Sequence, residues 1–319
     1  MAQHFLLSSK ARSLSLKQVF RMGEDEAYGL FCDMRWHEND GEPICPRCGC
    51  SEAYHISTRR KFKCIGCHHQ FSVTSGTIFA SRKMSFGDLL AAIVIFVNGA
   101  KGIAALQLSR DLDCQYKTAF VLTHKLREAM AQEQGVEQLE GEVEVDGAYF
   151  GGYIKPANQR ENRRDRRLAI NQTGKRQVVV VGRERGGDTQ VTVAKSEALG
   201  GEIITANIHH MATVHADEAS HWDSLHGRFN THRINHSLAY SDNGACTNQA
   251  ESFFSRLRRM ETGTHHHIAG KYLGAYAGEA AWREDNRCVD NGSLAMMVCS
   301  SAMDTPVSRT WKGYWQKAA

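Results

Sequence analysis

Two sets of residues in this chain have the types and spacing to do chemistry: paired cysteines near the start and isolated acids in the second half. Cys45 and Cys48 in CPRCG, and Cys64 and Cys67 in CIGCH, form two C-x2-C knuckles fifteen residues apart. A two-residue gap lets both thiolates of a knuckle reach one ion at about 2.3 Å, and two knuckles complete a tetrahedron. Pro46 and Gly49 suit the tight turn of the first knuckle. Cys50, His68 and His69 lie close by, but the symmetry of the two knuckles selects the four cysteines. Four thiolates leave no open coordination position, so a structural Zn²⁺ is expected. The chain holds ten cysteines, and clustering of this kind without a signal peptide points to metal before disulfides.

The acids are Asp146, at the end of the alternating stretch EVEVDGAYFGG, Asp217 in ATVHADEAS, and Glu251 in CTNQAESFFSRLRR, three residues after Asn248. Singly, each has a plain structural reading. Asp146 before Gly147 starts a turn, Asp217 caps a helix starting near Glu218, and Asn248 with Glu251 forms an N-cap and N3 capping pair. Together their order suggests more. A strand, a two-stranded hairpin (RQVVVVGRERGGDTQVTVAKS), a shorter strand tipped by an acid, then a helix carrying another acid suit an α/β, RNase H-like domain. Carboxylate oxygens favour Mg²⁺, and two such ions about 4 Å apart stabilise the attacking and leaving oxygens of an in-line phosphoryl displacement. In the acid-bearing helix Ala250, Phe253, Phe254 and Leu257 form the apolar stripe. Glu251 and Arg258, seven residues apart, lie nearly eclipsed along its edge.

Positioning these groups requires further elements. From Phe86 to Ala131 the pattern is helical, with a short helix from Ile103 to Leu112, a turn at Asp113–Cys114, and a second helix from Tyr116 to Met130. Either this is a helical hairpin or it is a helix-turn-helix. In the latter case the second helix presents Lys117, Thr118, His124, Lys125 and Arg127 to a major groove. The segment from Lys155 to Arg176 carries eight Lys/Arg against Glu161 and Asp165, including Arg163, Arg164, Arg166 and Arg167. Such a run attracts polyanions, nucleic acid foremost. Net charge is +4 and 42% of residues are hydrophobic, a globular composition. The apolar run LLAAIVIFVNGA is too short to span a bilayer and reads as a buried helix. No signal peptide is legible in MAQHFLLSSKARSLSL, so a cytoplasmic protein, nucleoid-associated when bound to DNA, is expected. The domains expected are a helical segment (1–40), a zinc ribbon (41–83), a helix-turn-helix region (84–135), the RNase H-like domain (140–290) and a C-terminal tail (291–319), where WKGYW interleaves aromatic and basic residues.

With these pieces in place the chain resembles the insertion-sequence transposases that join an N-terminal zinc ribbon to a DDE-type RNase H-like domain, the ISXO-like transposases. The stretches carrying the resemblance include RWHENDGEPICPRCG, FSVTSGTIFASRKM, EVDGAYFGG, ADEAS, INHS, TNQAESFFSRLRR and GTHHHIAGKYLGAYAGEAAWREDNR. The resemblance implies cleavage of transposon ends and transfer of the freed 3′-hydroxyls into target DNA. It implies Asp146 and Asp217 as the first two catalytic acids and Mg²⁺ ligands, with Glu251 or Asn248 as the third. Where the family usually has Lys this chain has Arg258. The resemblance also implies terminal inverted repeats and target DNA as partners, and a homo-oligomer in the active complex. A catalytically inactive, zinc-dependent DNA-binding derivative is the competing reading. His265, His266 and His267 have three open readings: metal ligands, phosphate contacts or polar surface.

Overall fold

Alternation along EVEVDGAYF and the valine run VVVV dictate strands, and both are found in the computed structural model, which describes residues 5–133, 137–152, 157–165, 169–171, 174–235 and 246–316. The chain forms two compact units, one made of residues 1–133 with 286–319 and the other of residues 134–285.

In the first unit α1 (Leu16–Arg21) starts with a capping box between Ser15 and Gln18, and α2 (Glu24–Arg35) comes next. Strands β1 (Ala53–Ile56), β2 (Lys61–Cys64) and β3 (Gln70–Phe71) form an antiparallel sheet in that order. The apolar run expected as a buried helix is α3 (Phe86–Asn98), capped by Ser85 and buried through Leu89–Val94. No helix among the described residues is long and apolar enough to cross a membrane. Then come α4 (Ala105–Asp111) and α5 (Tyr116–Glu133), joined by a turn in which Asp113 adopts φ 46°. They pack on each other, as a helix-turn-helix requires.

The second unit is built on a five-stranded sheet ordered β6-β5-β4-β7-β8. Strands β4 (Glu142–Phe150), β5 (Gln177–Glu184) and β6 (Thr189–Ala194) are antiparallel neighbours. Strands β7 (Thr213–Asp217) and β8 (Asn230–Ile234) add in parallel beyond β4. This is an RNase H-like α/β arrangement. On one face α7 (Asn248–Met260) and α8 (Leu273–Asp285) pack against Ala148, Phe150, Val179 and Val181. On the other, α6 (Glu197–Thr205) and Trp222 cover Val143, Val145, Val178 and Val180. Coverage on both faces explains why β5 reads as an unbroken valine run.

The last helix, α9 (Asn291–Asp304), belongs to the first unit and packs on α2, α3 and α5. The residues expected as a tail therefore include a core element, with Ala295, Val298, Cys299, Ala302 and Met303 buried.

Helix α6 lies so close to the sheet that a Cβ on Gly200 would come 2.5 Å from Val180 Cγ2. Gly200→Ala gains helix propensity yet is expected to lose about 1–3 kcal/mol through overpacking. Thermal melting checks this, and a raised Tm would show that the helix has room to move.

Candidate active site and metal centre

Strand register brings two of the expected acids together. Glu144 on β4 is paired with His215 on the parallel strand β7, so Asp146 and Asp217, each two residues further on, sit at equivalent levels of neighbouring strands. Side chains two residues apart share a face, and on β4 that face is the one where Ala148 and Phe150 meet α7. Asp146 Oδ1 accepts from the Gly147 N–H at 2.7 Å, and Asp217 Oδ1 accepts from the Ala219 N–H at 3.0 Å. Neither plain structural reading holds as expected: Asp146 and Gly147 lie within β4 and start no turn, and the short helix after β7 begins at Ser220 behind Ala219, so Asp217 is not its cap.

Burial pushes the Asp146 carboxyl up to about 7, the charges of Asp217, Glu197 and Glu251 push in the same direction, and the Gly147 N–H offsets part of the shift. Glu197 went unread in the sequence. It opens α6 behind the N-cap Ser196, where an acid ordinarily just complements the helix dipole. It approaches from the opposite face, where a Cβ on Gly147 would lie 2.7 Å from Glu197 Cγ. Its Oε2 lies 3.2 Å from His221 Nε2. Burial and Asp217 raise its carboxyl, opposed by His221 and Arg176.

Helix α7 is held differently from the expectation. The sequence pairs Asn248 as N-cap with Glu251 at N3, but the N-cap is Thr247, no side chain caps from that position, and Asn248 is the first helical residue. The physical reason is Glu144, which is fully buried. Its Oε2 accepts from the N–H groups of Gln249 at 2.7 Å and Ala250 at 3.1 Å, and Arg185 Nε donates to its Oε1 at 2.9 Å. Arg185 also pairs with Glu142 and reaches the Cys246 carbonyl oxygen at 3.2 Å. A carboxylate at a helix N-terminus satisfies donors and favours the dipole together. Glu251 stands exposed one turn into the helix, as Asn248 does at its start. Arg258 is exposed too, its guanidinium 5.4 Å from the centre of the Phe150 ring.

In the first unit the ligand atoms of Cys45, Cys48, Cys64 and Cys67 all lie within 4.8 Å of one another. Sulfur–sulfur separations are 3.7 Å for Cys45–Cys67 and 3.5 Å for Cys48–Cys64. A tetrahedron of 2.3 Å bonds has edges of about 3.8 Å, so the four thiols fit zinc. Burial pushes the Cys45 thiol up, but hydrogen bonds from the N–H groups of Arg47 and Cys48 and from the Cys67 and Cys48 thiols together outweigh it and hold the thiol at about 7, toward the thiolate a metal needs. Cys50 points to the Glu52 carbonyl and His69 stacks on Phe71, so neither belongs to the cluster. His266 and His267 are exposed, and His265 packs edge-on against Tyr276.

The expected DNA-facing residues divide. Lys117 and Thr118 are exposed on the first turn of α5, and Lys125 is half-buried, its ammonium drawn down by burial. Arg127 and His124 are not exposed as expected. Arg127 is 2% exposed with its guanidinium 5.5 Å from the Phe96 ring centre, and His124 stacks on Trp311 at 4.3 Å. The cause is the packing of α9 and the C-terminal segment on the middle turns of α5, which covers His124 and Arg127 and leaves its start exposed. Arg163 and Arg164 are exposed, whereas Arg166 and Arg167 lie outside the described residues.

Residues 138–285 match the family described as the ISXO2-like transposase domain, and residues 22–70 match the transposase zinc-ribbon domain. The chain thus joins an ISXO2-like transposase domain to a transposase zinc ribbon. Neither a search of curated proteins nor one of solved structures returned a match. The ISXO2-like domain match ends at Asp285, where the second compact unit also ends. The ribbon match of this transposase begins well before residue 41 and takes in α2. Trp36, at the end of that helix, packs edge-on against Phe62 and Phe71 of the ribbon at 5.4 and 6.4 Å.

Each of the two sites makes a measurable prediction. An acid with a raised folded-state pKa weakens the fold above that pKa, and the penalty vanishes below the unfolded value. For Asp146 the penalty is absent near pH 3.8, grows as pH rises, and is complete above about 7. Asp146→Asn is therefore expected to stabilise the metal-free transposase at pH 8 by on the order of 2 kcal/mol and hardly at all at pH 4. Denaturant melts in EDTA at the two pH values measure it. In the ribbon, Cys48 is exposed, so Cys48→Ser removes a ligand with little loss of packing. Elemental analysis should find one zinc per wild-type chain and far less in the variant.

Proposed function

We propose that this transposase cuts the ends of its insertion sequence and joins the freed 3′-hydroxyls to target DNA, with Asp146, Asp217 and Glu251 holding Mg²⁺. One observation carries the reading: strand register sets half-buried Asp146 level with Asp217 on the neighbouring strand, where the charges of Glu197 and Glu251 also reach it. Such crowding raises a carboxyl strongly unless a cation neutralises it. All four donors are hard oxygens, the type that Mg²⁺ prefers. When bound, the ions supply charge stabilisation to the attacking and leaving oxygens of an in-line displacement.

The chain's own groups do the rest. Asp146 and Asp217, fixed by register on adjacent strands, define where the scissile phosphate must lie. Glu251 is the third ligand in preference to Asn248, because it is the charged oxygen donor of the two and its charge is felt at Asp146. Arg258, exposed on the same line of the helix, contacts a phosphate flanking the cut. Such contacts fix register and carry little sequence information. The zinc ribbon, with Zn²⁺ on its four cysteines, and the first turn of α5 with Lys117 and Thr118 recognise the terminal inverted repeats. Arg163 and Arg164 add phosphate contacts. Two ends must be cut and joined together, so the active complex is a homo-oligomer.

The test is cleavage and joining of a labelled oligonucleotide carrying the element's own end, with and without Mg²⁺. Asp146→Asn, Asp217→Asn and Glu251→Gln should each lose at least the roughly 10–100-fold that outer-shell partners typically cost, while Asn248→Ala stays near wild type. Wild-type rates in Asp146→Asn would overturn the assignment of that acid, and absence of cleavage by the wild-type chain would leave the inactive DNA-binding reading standing. Loss in Asn248→Ala without loss in Glu251→Gln would transfer the third ligand to Asn248.

A further inference from the structure

The aromatic and basic residues of the C-terminal segment have no part in the site above, yet they complete a concave surface. A cleft of about 460 Å³ lies between the first half of α5 and residues 311–316, within the size range of small-ligand sites. Among the described residues four cations line it, Arg82, Lys83, Lys117 and Lys125, and no carboxylate does. The acids that act on Lys125 and Arg82 are otherwise engaged: Glu128 accepts from Ser308 Oγ at 2.7 Å, and Glu24 accepts from the Phe86 and Gly87 N–H groups at 3.0 Å. The Nε of Arg82 is buried without a hydrogen-bond partner.

The rings supply the second half of the recognition. Phe120 of α5 is surrounded by Trp311, Tyr314 and Trp315, with ring centres 5.9, 6.2 and 5.9 Å away. This cluster fixes Trp315 while leaving it 47% exposed, and Lys117 Nζ lies 5.2 Å from its ring centre. An exposed, oriented indole beside several ammonium groups is the pairing that single-stranded nucleic acid uses: a base stacks and its phosphate is neutralised. Base faces are hidden in a duplex, where only edges and phosphates are presented, so the indole needs an unstacked base.

We propose that this cleft binds one unpaired nucleotide of single-stranded DNA, its base on Trp315 and its phosphate among Lys83, Lys117 and Lys125. The proposal rests on the reading of the first unit as DNA-binding, because the start of α5 lines the cleft. A strand frayed from a bound duplex end thus enters it directly, which assigns the C-terminal segment to holding open ends.

The experiment uses the full-length, zinc-loaded chain carrying Asp146→Asn, and fluorescence anisotropy on the element's end as a blunt duplex or with a tail of four unpaired thymidines. The tail should tighten binding about 5- to 100-fold, the span of one stacked base. Trp315→Ala should abolish that gain while leaving the blunt-duplex affinity within twofold. Trp315→Phe should keep most of the gain, and an abasic tail should give none. Lys125→Met should reduce the gain and lower the salt dependence by about one phosphate contact. Melting temperatures equal to the parent's confirm that the variants fold. Equal affinity for blunt and tailed DNA overturns the cleft alone, as does equal weakening of both by Trp315→Ala. Failure to bind either DNA removes the DNA-binding reading, and the cleft with it.

Discussion

Glu144 has no solvent exposure and sits two residues before Asp146 on the central strand. Its carboxylate links the N-terminal N–H groups of α7 to Arg185 of β5's end region. The position of Glu251, and hence any convergence of three acids, depends on this buried contact. A buried carboxylate with one partner removed is strongly destabilising. The chain therefore meets the charge with a cation on one oxygen and two backbone donors on the other. The helix ties to the sheet at a second point, where Arg183 donates to Gln249 Oε1 at 3.1 Å and pairs with the buried Glu284 at 2.9 Å.

Around this anchor the site concentrates like charge where water is scarce. Asp146 and Glu197 are both displaced toward the protonated form by burial and by acidic neighbours. Such an arrangement is unfavourable on its own, in keeping with the general opposition between stability and function at active sites. The packing of α6 contributes, because Gly147 leaves room for Glu197 beneath the strand that carries Asp146.

Much of this was legible in the sequence, and the exceptions share a cause. Knuckle spacing identifies the four thiols without reference to anything distant. The valine run, the Gly-Gly hairpin and the apolar stripe of α7 are likewise local patterns. Glu144 was hidden because EVEVD reads as a strand with one polar, solvent-facing side, and nothing local says that α7 covers that side. His124 and Arg127 look like exposed residues of a recognition helix until α9, distant in sequence, packs over them. Asn248 and Glu251 fit a capping pair, but a carboxylate from another element had already taken the donors. Each exception is a polar group whose surroundings are set by a remote partner, which spacing along the chain does not encode.

The return of α9 to the N-terminal unit has a consequence for how the molecule is made. The helix that fills this core, with Val298, Cys299 and Met303 buried in it, comes after the whole second unit in the chain. During synthesis the residues of the second unit are all present before α9 emerges, whereas the first unit must wait with an open apolar face along α3 and α5. The ribbon and the start of α5 are translated early, but the unit that carries them matures last. A nascent chain thus has the strands that carry Asp146 and Asp217 before the core of its first unit can close.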